Sequence, residues 1–153
     1  MKNIKKILFV CTGNSCRSIM AEAYLKERIK EENLLIEVRS AGTSGMDGSL
    51  PTRETLSVLK EDGIVVEGYE SKMLTEDFVK WADLILVMEP RHQERIQDIL
   101  PGCGEKVHGL AEFDKEARER IVYDPIGGTL DFYRKTFERI KSAIEELILW
   151  LKQ

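Results

Sequence analysis

The sequence predicts an α/β fold, a three-layer sandwich around a four-stranded, mostly parallel sheet. Short apolar runs alternate with helix-like segments along the chain, and strands that alternate with helices usually form a parallel sheet covered on both faces. Residues 84–88 read Leu-Ile-Leu-Val-Met without a polar interruption, which is typical of a strand covered on both faces. A polar loop joins the first apolar run to the first helix-like segment.

The first part of the chain predicts two strands and one helix. Residues 5–10 form the first strand by apolar density and short length. A helix follows from about Ser18 to Glu32, because apolar residues recur at intervals of three and four: Met20, Ala21, Tyr24, Leu25 and Ile29. Residues 36–40 alternate as a second strand would, and residues 41–50, rich in Gly and Ser, predict a flexible loop.

Capping residues predict the next two helices. Pro51 and Thr52 open the first, and Gly63 ends it, since glycine is common just beyond a helix C-terminus. Thr75 opens the second, with carboxylates at positions 76 and 77 in its first turn.

Four elements are predicted after residue 83. They are the buried strand 84–88, a helix over about 90–100, a weak fourth strand at 106–108 and a long last helix. The last helix is indicated by apolar residues at alternating intervals of four and three: Tyr133, Phe137, Ile140, Ile144, Leu147 and Leu151. This stripe is expected to pack into the core.

Length and composition limit the kind of protein. With 153 residues, the chain is expected to be a single domain, residues 1–153, that needs no cofactor or disulfide to fold. The net charge is −4 with interspersed signs, which argues against nucleic-acid binding through overall charge. Three cysteines and no apolar secretory core at the N-terminus indicate a reducing, cytoplasmic location. No run approaches the roughly 20 apolar residues of a spanning helix, so no membrane partner is expected.

The loop after the first strand has the composition of an anion site. It reads Cys11-Thr12-Gly13-Asn14-Ser15-Cys16-Arg17-Ser18. Ligands of α/β folds bind beyond the carboxyl ends of the strands, and the free amides of a helix N-terminus attract anions. The sequence therefore predicts a phosphate-binding loop, which we call the nucleophile loop (residues 11–18).

Cys11 and Arg17 are the residues of this loop expected to carry chemistry. The thiolate is the strong nucleophile, and the loop amides, the helix N-terminus and Arg17 all favour it. The planar guanidinium of Arg17 matches two oxygens of a phosphoryl group and would hold that group over the sulfur. Gly13 permits a close approach, Asn14 tolerates left-handed backbone angles, and Ser18 can donate a hydrogen bond to the sulfur.

Phosphoryl transfer to sulfur also needs an acid for the leaving group and then a base for water. Asp124 is the candidate. Pro125 favours an extended backbone before it, and the turn at Gly127 leaves the carboxylate on a loop that can fold over the pocket. An Asp-Pro pair alone indicates only a turn, so this prediction depends on the nucleophile loop.

Two plainer interpretations compete with this one. In the first, Cys11 is only a small buried residue and Arg17 only a surface cation. The strand before the loop and the helix after it favour a functional site instead. No metal site is predicted, because four residues separate Cys11 from Cys16 and no second pair completes a ligand set. His92 and His108 occur singly, so surface or packing roles are expected for both.

The whole chain resembles the bacterial branch of the low-molecular-weight protein tyrosine phosphatase family. The resemblance is carried by residues 10–18, Met20-Ala21-Glu22-Ala23, Arg39-Ser40-Ala41-Gly42, Ala82-Asp83-Leu84-Ile85 and Asp124-Pro125. It implies that Cys11 forms a phosphocysteine, that Arg17 clamps the phosphate, and that Asp124 acts as general acid and then as base.

The resemblance also implies supporting roles. Ser18 would stabilise the thiolate as a leaving group, and Asn14 with Ser40 would hold the shape of the loop. The binding set would be Thr12, Gly13, Asn14, Ser15, Cys16 and Ser18. A phosphorylated protein is the implied substrate, inorganic phosphate the product and inhibitor, and no cofactor is implied.

Three positions bear on the choice of substrate. The phosphotyrosine enzymes of this family commonly have an aliphatic residue at position 15 and aromatic residues after Asp-Pro, whereas this chain has Ser15, Ile126 and Gly127. In this respect it is more similar to the protein arginine phosphatases of the same family. Phosphotyrosine and phosphoarginine both remain open as substrates.

Two other functions share this loop. The chain also resembles thioredoxin-coupled arsenate reductases, but these require two further cysteines, and only Cys103 lies beyond the loop. A phosphate-binding module without catalysis would not need Asp124. For Cys16, packing beneath the loop and a reversible disulfide with Cys11 under oxidation are both open, the second being made plausible by the family resemblance.

Overall fold

The computed structural model describes residues 2–153 and contains a four-stranded sheet. The strands are β1 (Lys6–Cys11), β2 (Glu37–Gly42), β3 (Leu84–Val87) and β4 (Val107–Gly109). They lie in the order β2-β1-β3-β4, and every pairing between them is parallel. The predicted α/β fold is confirmed, and the sheet predicted as mostly parallel is parallel throughout these four strands.

The helices are α1 (Arg17–Glu31), α2 (Arg53–Glu61), α3 (Glu76–Trp81), α4 (Pro90–Ile99) and α5 (Leu130–Leu151). Thr52 and Thr75 cap α2 and α3 as predicted, and each accepts a hydrogen bond from the backbone N–H three residues later. Gly63 follows α2 with a φ of 78°, an angle that glycine adopts freely. Within residues 2–153, no helix is long and apolar enough to cross a membrane.

The helices cover both faces of the sheet. Helices α1, α2 and α5 contribute to the apolar cluster on one face, and α3 and α4 contribute to the cluster on the other. Alternate strand residues belong to the two clusters: Ile7, Phe9, Leu84 and Leu86 on one face, and Leu8, Val10, Ile85 and Val87 on the other. Each buried side chain of this size contributes about 1.5–3 kcal/mol, so β1 is a rigid support for the loop at its end.

The structure corrects one predicted boundary that matters for the site. Residues 41–50 were predicted as loop, but Ala41 and Gly42 end β2 and pair with Val10 and Cys11 of β1. A Cβ added to Gly42 would stand 2.5 Å from the carbonyl oxygen of Thr12, which is too close for any side chain. The glycine therefore permits a close approach of two backbones, rather than the flexibility inferred from composition.

Candidate active site

The nucleophile loop stands at the carboxyl edge of the sheet. Cys11 is the last residue of β1 and Arg17 is the first residue of α1. Because β1 lies between β2 and β3, the ends of both neighbouring strands flank the loop. The free amides of the first turn of α1 belong to this same edge, which is a favourable position for an anion.

Cys11 receives a hydrogen bond whose direction can be assigned. Its Sγ lies 2.9 Å from the Oγ of Ser18, and Cys11 is 3% exposed. The Nδ2 of Asn14 donates to that same Oγ at 2.7 Å. An amide nitrogen offers hydrogens and no acceptor. Within residues 2–153 the sulfur is the other partner of this Oγ, so it is the acceptor available to the hydroxyl hydrogen of Ser18. Ser18 therefore donates to Cys11, as a group that stabilises a thiolate must.

Asn14 is the centre of the hydrogen bonds within the loop. Its φ is 53°, the left-handed region that asparagine tolerates better than most residues. The second Nδ2 hydrogen goes to the Oγ of Ser40 at 2.9 Å, and the Oδ1 accepts from the backbone N–H of Lys72 at 2.8 Å. The hydroxyl of Ser71 donates to the carbonyl oxygen of Asn14 at 2.8 Å. Contacts from two other segments thus hold this strained residue in place.

Glu22 extends this network away from the pocket. The hydroxyl of Ser40 donates to its carboxylate, and Lys26, one turn further along α1, pairs with it at 2.6 Å. A buried carboxylate is costly without donors, and Glu22 is only 8% exposed. The two donors account for its burial, and the hydrogen bonds run without a break from Glu22 to Cys11.

Arg17 is 1% exposed and is held by groups from outside the loop. Its Nη1 donates to the carboxylate of Glu89 and to the carbonyl oxygen of Val122, both at 2.7 Å, and its Nη2 lies 3.6 Å from the Oδ2 of Asp124. Burial raises the pKa of Glu89, but hydrogen bonds from Arg17 and Arg91 outweigh burial and hold that pKa below its ordinary value. Glu89 therefore supplies the counter-charge that a buried guanidinium requires.

Asp124 lies beside Arg17 with its side chain 31% exposed. Its Oδ1 accepts a hydrogen bond from the N–H of Ile126 at 3.1 Å. The N–H of Val122 donates to the carbonyl oxygen of Met88 at 3.0 Å, just beyond β3, and so ties this segment to the sheet. The structure thus brings the predicted acid to the side chain of the predicted phosphate clamp.

His92 contacts the nucleophile loop. Its Nε2 lies 2.9 Å from the Oγ1 of Thr12, and its Nδ1 accepts a hydrogen bond from the N–H of Glu89 at 3.1 Å. Burial, reinforced by the charge of Arg17, lowers the pKa of His92 to about 4. A surface role, one of the two expected from the sequence, is wrong for His92, which is 1% exposed.

Ser15 and Cys16 attach the loop to α2 and α5. The carbonyl oxygen of Ser15 accepts hydrogen bonds from the N–H of Thr52 and the hydroxyl of Thr55, both at 3.1 Å. The Sγ of Cys16 is buried 3.5 Å from the Oη of Tyr133, whose pKa is raised to about 12 by burial and by this contact. Among residues 2–153, no cluster of His, Cys, Asp and Glu is arranged to hold a metal ion.

Comparison with known proteins identifies the family. The family profile described as low molecular weight phosphotyrosine protein phosphatase matches residues 6–153. The chain belongs to this family. It is therefore a phosphatase of the hydrolase class, and the matched region includes the nucleophile loop and Asp124.

Two relatives match this phosphatase over almost their full length. The protein-arginine-phosphatase of Bacillus subtilis is 35% identical over 147 residues, which cover 96% of this chain and 97% of the relative. The low molecular weight protein-tyrosine-phosphatase PtpB of Staphylococcus aureus is 38% identical over 146 residues, which cover 93% and 96%.

A solved structure extends the similarity to the fold. YwlE arginine phosphatase, in a cysteine-to-serine mutant with a phosphorylated active site serine, matches with a TM-score of 0.90 at 34% identity. The match covers 97% of this phosphatase and 96% of that chain. These proteins are named as phosphatases, which does not favour the arsenate reductase alternative.

No role in the site was predicted from the sequence for Glu22, Glu89 or His92. Glu89 had a usable signal, because it closely follows the buried run 84–88 at the edge where ligands of parallel sheets bind. Glu22 appeared only as part of a family motif. His92 had no signal, since a single histidine in a polar helix does not show which residue it contacts.

Proposed function

We propose that this phosphatase removes phosphoryl groups from protein side chains through a phosphocysteine at Cys11, and that phosphoarginine is its preferred substrate. The observation that carries the proposal is the meeting of Cys11, Arg17 and Asp124 at one edge of the sheet. A nucleophile, an oxyanion clamp and a proton donor are the groups that phosphoryl transfer to sulfur requires.

In the first step, the thiolate of Cys11 attacks phosphorus in line with the leaving atom. The S–P bond forms as the P–N bond of phosphoarginine breaks, and Asp124 protonates the leaving nitrogen. Within the described chain, Nη1 of Arg17 is engaged by Glu89 and Val122. The remaining N–H groups of Arg17 are therefore the ones that bind the phosphoryl oxygens, which bear the charge of the transition state.

In the second step, Asp124 takes a proton from water as the water oxygen attacks phosphorus. The S–P electron pair returns to Cys11, where the hydroxyl of Ser18 stabilises it. The products are inorganic phosphate and the free thiolate. Because phosphate occupies the site of the transferred group, we expect phosphate and vanadate to inhibit competitively.

The residues around Arg17 and after the Asp-Pro pair favour phosphoarginine over phosphotyrosine as the substrate. A guanidinium group has only N–H donors, and the carboxylates of Asp124 and Glu89 are acceptors beside the clamp. Ser15 adds a half-buried hydroxyl within the nucleophile loop. A phenol ring would instead favour aromatic walls, but Ile126 and Gly127 follow the Asp-Pro pair and neither is aromatic. Two relatives that are named protein-arginine-phosphatase, from Bacillus subtilis and Geobacillus stearothermophilus, add support.

The test compares two peptides of one sequence that carry either phosphoarginine or phosphotyrosine. We expect a higher kcat/KM for phosphoarginine, and we expect Ser15→Ile to shift the ratio at least about tenfold toward phosphotyrosine, since a methylene-rich side chain changes pocket preference by this order. Ser15→Thr, which keeps the hydroxyl, is the matched control and should keep the ratio. A wild type that prefers phosphotyrosine would contradict the proposed substrate, and a ratio that Ser15→Ile does not alter would contradict the role of Ser15.

A second experiment tests the nucleophile. Cys11→Ser should abolish turnover of either peptide and still bind inorganic phosphate, because the loop amides and Arg17 remain. Turnover at the wild-type rate in Cys11→Ser would exclude the phosphocysteine mechanism, whichever substrate is used.

We also infer the setting in which the enzyme works. Residues 1–153 would act as one phosphatase domain in the cytoplasm, on phosphorylated proteins and without nucleic acid or membrane as partners. The dispersed charges and the small number of cysteines support this inference.

A further inference from the structure

His92 is a polar side chain buried beside the nucleophile loop, and both of its ring nitrogens are hydrogen-bonded. The Nδ1 faces the N–H of Glu89 at 3.1 Å. A backbone N–H can only donate, so Nδ1 must be the unprotonated nitrogen of a neutral ring. The ring proton is therefore on Nε2, which donates to the Oγ1 of Thr12.

This assignment determines what the hydroxyl of Thr12 can do. One of its lone pairs accepts from His92, so its own hydrogen points elsewhere. Among residues 2–153, His92 is the one hydrogen-bond partner of that hydroxyl. Thr12 is half-buried, and its carbonyl oxygen is already engaged by the N–H of Ser44 at 2.8 Å.

The position of Thr12 places this hydroxyl hydrogen near the chemistry. Thr12 follows Cys11 directly, and the ring that holds its hydroxyl is hydrogen-bonded to the backbone of Glu89. The carboxylate of Glu89 binds Arg17 at 2.7 Å, and Asp124 lies 3.6 Å from the same guanidinium. The hydroxyl of Thr12 is therefore linked, through His92 and Glu89, to the guanidinium that is expected to bind the phosphoryl group. We propose that His92 is a positioning residue that presents the Thr12 hydroxyl as an additional hydrogen-bond donor to the phosphoryl group.

This inference rests on the proposed function, and it adds a side-chain donor to a cradle otherwise made of backbone amides and Arg17. A hydrogen bond to a charged oxygen is among the stronger ones in proteins. A site with this donor should therefore hold tetrahedral and trigonal-bipyramidal oxyanions more tightly than the same site without it.

The test measures binding of inorganic phosphate and of vanadate by titration calorimetry, without any turnover. Thr12→Val has nearly the same shape but no hydroxyl, and we expect it to weaken phosphate binding about tenfold. Thr12→Ser keeps the hydroxyl and should stay within about threefold of the wild type. Thr12→Val with wild-type affinity for both anions would overturn the proposal.

Two substitutions of His92 separate positioning from support of α4. The side-chain oxygen of His92→Asn can replace Nδ1 as the acceptor for Glu89 but cannot reach Thr12, so phosphate binding should weaken about as much as in Thr12→Val. The amide of His92→Gln can replace Nε2 as the donor, so binding should be retained even if the melting temperature falls. Equal affinities of the two variants would overturn the positioning role.

A double-mutant cycle adds a further requirement. In the Thr12→Val background, His92→Asn should cause no additional loss, because its partner is already absent. The outcomes also separate this inference from the proposed function. A wild type that binds phosphate but hydrolyses neither peptide would defeat the function alone, whereas active enzyme with unchanged binding in Thr12→Val would defeat this inference alone.

Discussion

The nucleophile loop is held around Asn14 and around Arg17 by different kinds of interaction, and we call these two parts the Asn14 flank and the Arg17 flank. On the Asn14 flank, neutral amide and hydroxyl groups make directional hydrogen bonds, among them those of Asn14 with Ser18 and Ser40. On the Arg17 flank the contacts are mainly ionic, and the shortest joins Arg17 to Glu89 at 2.7 Å. The amide of Asn14 and the hydroxyls of Ser18 and Ser40 carry no charge, whereas a buried ion is stable only while its counter-ion stays charged. The Asn14 flank is therefore expected to set the shape of the loop, and the Arg17 flank its affinity for phosphate.

The largest expected effect is on the ionic flank. Arg17→Lys should lower kcat/KM by about 10³-fold, because one ammonium cannot hold Glu89, the carbonyl oxygen of Val122 and two phosphoryl oxygens together. Steady-state kinetics measure this change in kcat/KM. The control is Arg91→Lys, which changes an exposed partner of the same Glu89 and should alter kcat/KM by less than about threefold. Similar kinetics for the two variants would show that the buried guanidinium of Arg17 is not needed for catalysis.

The neutral flank should lose stability as well as activity. Asn14→Ala removes three side-chain hydrogen bonds and leaves alanine at a φ of 53°, so we expect the free energy of unfolding to fall by roughly 2–4 kcal/mol. Asn14→Gly also lacks the amide but adopts this angle freely, and should regain about 1 kcal/mol. Chemical denaturation of both variants measures the difference. Equal stabilities would show that backbone strain contributes nothing here.

The last expected effect appears only in mild acid, and it is a loss of stability that depends on the buried His92. The pKa of His92 is about 4 in the folded protein against an ordinary value of 6.5. Below pH 6.5 the unfolded chain therefore takes up a proton that the folded chain does not. Stability is complete above pH 6.5 and falls as the pH approaches 4, by up to roughly 3 kcal/mol from this group.

Urea denaturation between pH 4 and 7 measures this loss. His92→Asn removes the titrating ring and should flatten the stability profile over that range, relative to the wild type. His108 is exposed, so His108→Asn is the matched control and should keep the wild-type slope. A wild-type slope in His92→Asn would show that other groups cause the acid sensitivity.

Local features of the chain predicted much of the fold. Thr52 and Thr75 were identified as helix caps because a cap needs only a hydroxyl and the backbone three residues later. The buried run 84–88 predicted a central strand, and β3 occupies residues Leu84–Val87. Residues 41–50 were misjudged at their start, because composition alone does not show which backbone a glycine must approach.

The sequence by itself determined the chemistry of the nucleophile loop, since a thiol, a guanidinium and a glycine- and asparagine-containing turn lie within eight consecutive positions. Only the tertiary structure decided what surrounds them. The order β2-β1-β3-β4 places Ser40 on one flank and Glu89 on the other, and α4 brings His92 to Thr12. The physical reason is that hydrogen bonds and ion pairs depend on which strands become neighbours, and hydrophobic periodicity predicts strands without their order.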